Sequence, residues 1–241
     1  MSNVPKDADE QPAEFIDDPD NQPGDLDEPP RDKARFVDRM AAGIELAEHL
    51  ERLGLTAPVV LALPMGGVPV AAAIADRLHA PLDILEVHEI TAATEDLGVG
   101  AVAVNEEDVH RSAAVALGVT PHELDEKVER GRAALREVVA DVRAQRPAQP
   151  LDGCTAIVVD DALAVTHAAA AAAFDVRARG AARSVLAVPA GVATFIDALS
   201  ADFDDIVCLE RVGRLERAQW YDELPAVELA DVVRTITSST P

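Results

Sequence analysis

Lysine, cysteine and aromatic residues are all scarce in this chain of 241 residues. It has three lysines, two cysteines and only 3% aromatic residues. Cys154 and Cys208 each lie in an apolar run, which indicates reduced, buried side chains and excludes a disulfide framework or a cysteine metal site. No apolar run approaches the ~20 residues that span a bilayer, and the acidic N-terminus is unlike a secretory signal. We therefore expect a cytoplasmic protein without a membrane partner.

Basic residues are also few relative to acidic ones. The 44 acidic residues outnumber the 21 lysines and arginines, and the formal net charge is −23. A surface of this kind repels phosphate backbones, which argues against nucleic acid as a partner. An excess of carboxylates with little lysine is expected of an acidic, halophilic proteome, because the Debye length falls to roughly 3 Å at 1 M salt. Hydrophobic residues still make up 49% of the chain, enough to bury a core.

The first 32 residues differ in composition from the rest of the chain. They contain eleven acidic residues, two basic residues and six prolines. This segment carries −9 of the net charge of −23, so −14 remains on residues 33–241. Few large apolar side chains are present to offset the entropy of ordering it. We predict a disordered acidic tail over residues 1–32 and one folded domain over residues 33–241.

Short apolar runs alternate with helical patterns through the folded part. The runs lie at 59–63, 156–159, 184–188 and 206–209, and residues 82–87 are predicted as a further strand. This alternation predicts an α/β fold with a doubly wound parallel sheet of about five strands. Ligands of such sheets bind beyond the carboxyl ends of the strands. The residues that follow the strands, at 64–67, 88–90 and 160–169, are therefore the candidates for a functional site.

A helical insertion is predicted at about residues 106–147. Thr120 and Glu123 form a capping box with Pro121 at the first helical position, a strong signal for the start of a helix. An apolar seam follows, made of Leu124, Val128, Leu135, Val139 and Val142. The seam has two interpretations: it packs on its own domain, or it is the contact of a homodimer.

Two adjacent carboxylates, Asp160 and Asp161, stand at the exit of the strand at 156–159. Carboxylates accept hydrogen bonds from the vicinal hydroxyls of a sugar. The small residues after them lead into a helix, whose first N–H groups and dipole favour a phosphate. This order of features predicts a site for a sugar phosphate.

The motifs resemble those of the type I phosphoribosyltransferases. The resemblance rests on Asp160-Asp161-Ala162-Leu163-Ala164, on Leu63-Pro64-Met65-Gly66-Gly67-Val68-Pro69-Val70-Ala71, on Phe36, Asp38, Arg39, Ala42 and Gly43, and on Gly100-Ala101 and Trp220-Tyr221. It covers about residues 35–232. It implies the type I phosphoribosyltransferase fold and a small-molecule phosphoribosyl ligand.

The resemblance also implies roles for individual residues. Asp160 and Asp161 would contact the ribose hydroxyls. The 5′-phosphate would lie on the turn formed by Ala164, Val165, Thr166, His167 and Ala168. The pyrophosphate of phosphoribosyl pyrophosphate would lie on the loop Met65-Gly66-Gly67. Mg²⁺ would arrive with this donor, with no metal site made by the protein itself, and no catalytic residue is identified.

Several positions depart from the family pattern. Met65 replaces an arginine, His88-Glu89 replaces an arginine-lysine pair, and Val165-Thr166 replaces a threonine-glycine pair. Each charge-assisted hydrogen bond lost to a phosphate is worth roughly 1.5–3 kcal/mol. Three functions therefore stay open: a transferase that moves phosphoribose to an unknown acceptor, a ligand-binding or regulatory module without catalysis, and a scaffold.

Overall fold

The computed structural model describes residues 34–92, 98–103 and 107–239, together with a two-residue strand, Glu14–Phe15. That strand pairs in parallel with residues 205–206. The rest of the predicted tail, residues 1–32, lies outside the described residues. Within the described ranges, no helix combines the length and the apolar character needed to cross a membrane.

The elements of the described residues follow the predicted alternation. The strands are β1 (Glu14–Phe15), β2 (Pro58–Ala62), β3 (Leu82–Ile84), β4 (Val87–Thr91), β5 (Gly98–Ala103), β6 (Glu107–Val109), β7 (Thr155–Val159), β8 (Arg183–Val192) and β9 (Asp205–Val212). The helices are α1 (Arg39–Leu50), α2 (Gly67–Leu78), α3 (Arg111–Ala116), α4 (Pro121–Gln145), α5 (His167–Ala178), α6 (Ala193–Ala198) and α7 (Leu229–Ser238).

A parallel sheet forms the centre of the molecule, with the strand order β1-β9-β8-β7-β2-β3. All five residues of β7 are buried, as expected for a strand covered by helices on both faces. One core packs α1, α2 and α7 against one face, and a second core packs α5 and α6 against the other. The predicted doubly wound α/β fold is confirmed.

A second sheet, antiparallel and ordered β4-β5-β6, stands apart from the first. We call it the flap. The single strand expected at 82–87 differs from the structure, because β3 ends at Ile84 and β4 begins at Val87. The amide of Leu85 still donates to the carbonyl of Ala62, at 2.9 Å, before the chain turns away into the flap. Leu82, Ile84, Leu85 and Val87 are all apolar and buried, so the sequence gives no sign of the break between the two strands.

Helix α4 begins with the predicted capping box of Thr120 and Glu123. Its apolar seam is buried within the chain, since Leu124 and Val128 pack in a core with flap residues while Val138 and Val142 join the main core. The predicted seam includes Val139, but the structure buries its neighbour Val138 instead, and Val139 is only half-buried. The seam therefore packs on its own domain, the first of the two interpretations.

The first turn of α1 is held at the carboxyl edge of the main sheet. The Asp38 side chain caps the helix by accepting a hydrogen bond from the amide of Ala41, at 2.7 Å. Further along, a β-carbon on Gly43 would lie 2.5 Å from the carbonyl oxygen of Val70 in α2. The two helices can approach this closely only with glycine at that position. The approach places Arg39 over the end of β7.

Candidate functional site

A pocket of about 280 Å³ lies beyond the carboxyl ends of β2 and β7. It brings together the acid pair, part of the pyrophosphate loop and part of the phosphate turn. Its lining consists of Leu63, Pro64, Met65, Gly66, Val87, His88, Glu89, Thr91, Asp160, Asp161, Ala162, Leu163, Ala164, Val165, Ala168, Ala169 and Arg217. Of the predicted site residues, Gly67, Thr166 and His167 are outside this lining.

The acid pair and the glycine pair are in direct contact. A β-carbon on Gly66 would lie 2.3 Å from Oδ2 of Asp161, and one on Gly67 would lie 2.7 Å from the carbonyl oxygen of Val159. A β-carbon at position 66 would have to displace the Asp161 carboxylate, and one at position 67 would meet the backbone of β7. Both positions therefore favour glycine.

Asp161 is a buried carboxylate held by two arginines. Nε and Nη2 of Arg39 lie 2.8 and 2.7 Å from its Oδ2, and Nε of Arg217 lies 3.2 Å from its Oδ1. The hydroxyl of Tyr221 donates to its backbone carbonyl at 2.6 Å. Burial and the nearby Asp161 charge raise the pKa of Tyr221, which keeps this hydroxyl a donor. Asp161 thus ties α1 and the C-terminal segment to the end of β7.

Asp160 has different surroundings. It is partly buried in the pocket wall, and its Oδ1 accepts a hydrogen bond from the amide of Asp161 at 2.8 Å. Burial, followed by repulsion from Asp161, raises the pKa of Asp160 to about 8, although Arg217 acts in the opposite direction. Hydrogen-bond donors or a cation bound beside this carboxyl would favour its ionised form.

The pyrophosphate loop has an unusual backbone and no cation. Met65 has a φ of +69°, in the left-handed region that costs a side-chain-bearing residue about 1–2 kcal/mol. Helix α2 starts two residues later, at Gly67, so the loop leads into a helix N-terminus. Arg217 is the only lysine or arginine among the described residues that line the pocket.

Sequence reasoning missed the two arginines at this end of the pocket. Arg39 is one of the residues on which the family resemblance rests, and this membership in a motif could have marked it as a site residue. Arg217 lies in a short 3₁₀ turn, Arg217–Gln219, and no motif marked it. Its role depends on how the C-terminal segment folds back onto β7.

The predicted phosphate turn leads into α5, which starts at His167. The Thr166 side chain makes no capping hydrogen bond there. The carboxylate of Glu89, from β4, takes that place instead. Its Oε2 accepts a hydrogen bond from the amide of Ala168 at 2.7 Å, and its Oε1 lies 3.1 Å from Nδ1 of His167.

The flap packs closely around Glu89. A β-carbon on Gly98 of β5 would lie 2.6 Å from Oε1 of Glu89 and 2.8 Å from Cβ of Val165. The neighbouring His88 packs against α4, where a β-carbon on Gly131 would lie 2.7 Å from its Cδ2. Burial lowers the pKa of His88, so it supplies no lasting positive charge at neutral pH. The pair His88-Glu89 thus gives this part of the pocket an acid and a neutral ring.

Across the ranges that the structure describes, no group of three or more His, Cys, Asp or Glu side chains has the arrangement needed to hold a metal ion.

Comparisons with known proteins place the chain in a family. No family model matches it. Two curated proteins of Mycobacterium tuberculosis (strains CDC 1551 / Oshkosh and H37Rv), named provisionally as phosphoribosyl transferases, are each 37% identical to it over 181 residues, or 72% of this chain. The chain spans about 40% of the length of these curated relatives. The crystal structure of TT1426 from Thermus thermophilus is 32% identical, with a TM-score of 0.68 over 86% of this chain and 100% of that one.

Sequence and fold agree in this assignment. The chain has the doubly wound parallel sheet, the acid pair at the end of β7 and the glycine pair packed against it. Its identity to the named relatives extends over most of its length. The chain belongs to the type I phosphoribosyltransferase-like family.

Proposed function

We propose that the pocket binds the ribose part of a phosphoribosyl or nucleotide ligand and that Asp160 contacts the ribose hydroxyls. The observation that carries this proposal is the position of Asp160, in the pocket wall at the end of β7. Asp161 is already engaged by Arg39 and Arg217 and acts by holding the site together. An ionised carboxylate accepts hydrogen bonds from a pair of ribose hydroxyls.

The anionic part of the ligand would lie toward Arg217 and the loop before α2. Arg217 gives this region a positive charge, and the N-terminus of α2 adds its dipole. Mg²⁺ would enter with the anion. The Asp160 carboxylate would supply an oxygen ligand to it. The metal would supply charge neutralisation of the pyrophosphate.

Transfer of phosphoribose from phosphoribosyl pyrophosphate is the first candidate reaction, supported by membership of the family. The bond between C1 of the ribose and the pyrophosphate oxygen breaks, a bond from C1 to the acceptor forms, and the acceptor loses a proton. Pyrophosphate leaves with the electron pair of the broken bond. In this chain Arg217 and the helix N-terminus would stabilise that developing charge.

Ligand binding without catalysis is the second candidate, and two residues favour it. Met65 gives the pyrophosphate loop no cation, and Glu89 adds a negative charge to the lining. Stabilisation of the leaving charge is usually the largest contribution to such a reaction, where removing one donor costs about 10²–10³ in rate. A chain with these two residues can keep its ribose site and lose the chemistry.

Calorimetric titration with ribose 5-phosphate, and with phosphoribosyl pyrophosphate and Mg²⁺, tests the proposal. We expect the wild type to bind and Asp160→Asn to bind at least about tenfold more weakly, since one charge-assisted hydrogen bond is worth roughly 1.5–3 kcal/mol. Asp141→Asn, which removes the same charge from an exposed position on α4, is the matched control and should bind as the wild type does.

A pyrophosphate-release assay with a panel of bases then separates the two candidates. Release that depends on an added base identifies the transferase, and binding without release identifies the ligand-binding module. Equal affinities of the wild type and Asp160→Asn, or no binding of either ligand by the folded wild type, would refute the proposal.

A further inference from the structure

The carboxylate of Glu89 is held where an anion bound to α5 would be. It accepts the amide hydrogen bond of Ala168 at 2.7 Å and approaches Nδ1 of His167 at 3.1 Å. The ring of His110 packs against that of His167 in a tilted arrangement, with 5.1 Å between their centroids. Glu89 therefore has partners on the helix for both of its oxygens.

Helix α5 has no acid of its own at this end. The first turn contains no acidic residue, and the side chain of Thr166 does not cap it. The first N–H groups of a helix need acceptors, and the helix dipole favours a negative charge there. Glu89, which is far away in sequence, supplies the acceptor, because β4 of the flap lies beside the start of α5.

The position of Glu89 is set by its neighbours. A β-carbon on Gly98 would lie 2.6 Å from Oε1, so β5 lies directly behind the carboxylate. Val165 packs against the same glycine. The side chain of Glu89 is 20% exposed and lines the same pocket as Asp160, Val165 and Ala168. The carboxylate is thus part of the wall and faces the space that a ligand would fill.

A phosphate on this turn would need the amide that Glu89 already uses. Two charges of like sign at contact distance repel each other, and more strongly in a partly buried site than in water. A phosphate must therefore displace the carboxylate or bind elsewhere.

We propose that Glu89 is an internal competitor for anions and determines the ligand specificity of the pocket. It lowers the affinity for ligands with a phosphate at the α5 end and favours ribosyl ligands that are uncharged there, such as nucleosides. Where it concerns the ribose ligand, this inference rests on the proposed function. The competition for the helix N-terminus does not depend on ribose and can be tested with phosphate alone.

The test compares wild type, Glu89→Gln and Glu89→Ala at one fixed salt concentration. Glu89→Gln keeps the shape and an acceptor oxygen but removes the charge, and Glu89→Ala also frees the amide. Binding of inorganic phosphate and of ribose 5-phosphate is measured by calorimetry. We expect both affinities to rise at least about tenfold in Glu89→Ala and by less in Glu89→Gln. Glu126→Gln, exposed on α4, is the charge-matched control and should leave both affinities unchanged.

The outcomes separate this inference from the proposed function. Unchanged phosphate affinity in both Glu89 variants, with unfolding curves that show folded protein, would overturn the inference. If phosphate affinity rises in these variants while Asp160→Asn has no effect on ribose 5-phosphate, the inference stands and the proposed function fails. If Asp160→Asn weakens binding and the Glu89 variants change nothing, only the proposed function survives.

Discussion

The two ends of the pocket are built on opposite electrostatic principles. At the β7 end, the buried Asp161 is neutralised by Arg39 and Arg217. At the α5 end, the Glu89 carboxylate is held by a backbone amide and a histidine ring, with no lysine or arginine contact in the described residues. Three acids therefore differ in their surroundings within one pocket: Asp161 joins elements together, Asp160 lines the pocket wall, and Glu89 caps a helix.

This comparison changes the meaning of the acid pair. Twin aspartates at a strand end suggest a ribose site, yet one of them, Asp161, also joins α1 and the C-terminal segment to β7 through Arg39 and Arg217. Its Oδ1 lies 3.2 Å from Nε of Arg217 without forming a hydrogen bond, so a ribose contact from Asp161 stays a prediction. The proposed contact with the ribose therefore rests on Asp160 and on the pocket beside it.

The largest expected effect is the loss of the buried ion pair at the β7 end. Arg39→Met leaves the Asp161 carboxylate, 1% exposed, without the guanidinium that contacts its Oδ2. Breaking a buried pair by removing one member costs about 3–5 kcal/mol of unfolding free energy. Denaturant unfolding at fixed salt measures it, with Arg234→Met as a control from an exposed pair. Equal losses in the two variants would show that the β7 end is not held by this pair.

The next effect is a dependence of stability on pH that comes from Asp160. Its pKa is raised to about 8 from 3.8, so the folded state binds this proton more tightly than the unfolded chain does. Stability is therefore lost as the pH rises from about 4 to about 8. Asp160→Asn removes this loss, so its stability relative to wild type should increase across that range. A difference that stays constant with pH in unfolding curves would contradict the raised pKa.

Two alanine substitutions compare the rigidity of the two ends. In Gly66→Ala the new β-carbon meets the Asp161 carboxylate at 2.3 Å, and in Gly98→Ala it meets the Glu89 carboxylate at 2.6 Å. Overpacking typically costs about 1–3 kcal/mol. We expect Gly66→Ala to lose more unfolding free energy than Gly98→Ala. Two arginines hold Asp161 in place, whereas the longer side chain of Glu89 can move aside more easily. Thermal unfolding measures both, and a larger loss in Gly98→Ala would reverse the comparison.

The smallest expected effect is a gain of affinity on adding a cation to the pocket. Met65→Arg places a guanidinium on the loop before α2, where Arg217 is the only described cation in the lining. We expect pyrophosphate to bind roughly tenfold more tightly, the equivalent of about 1.4 kcal/mol. Calorimetry with pyrophosphate and Mg²⁺ measures the change. Met40→Arg, at an exposed position on α1, is the control. No gain in Met65→Arg relative to that control would place the anion elsewhere.

Much of the fold could be predicted because its signals are local. The parallel strands are short apolar runs, and the capping box at Thr120 marks the start of α4 within a few residues. The boundary of the flap was missed because Leu85, between β3 and β4, is apolar and as buried as Leu82 and Ile84. Where the chain leaves one sheet and enters another is decided by strand pairing between distant segments, which hydrophobic pattern alone does not encode.

The sequence by itself determined the doubly wound sheet, the meeting of the acid and glycine motifs at its carboxyl edge, and the absence of a cation from the loop at Met65. These follow from periodicity and from residue identity. Only the tertiary structure decided that Asp161 pairs with Arg39 and Arg217 and that Glu89 reaches the amide of Ala168. Those contacts join residues more than 50 positions apart, and the charge that each carboxylate meets depends on which distant segment packs beside it.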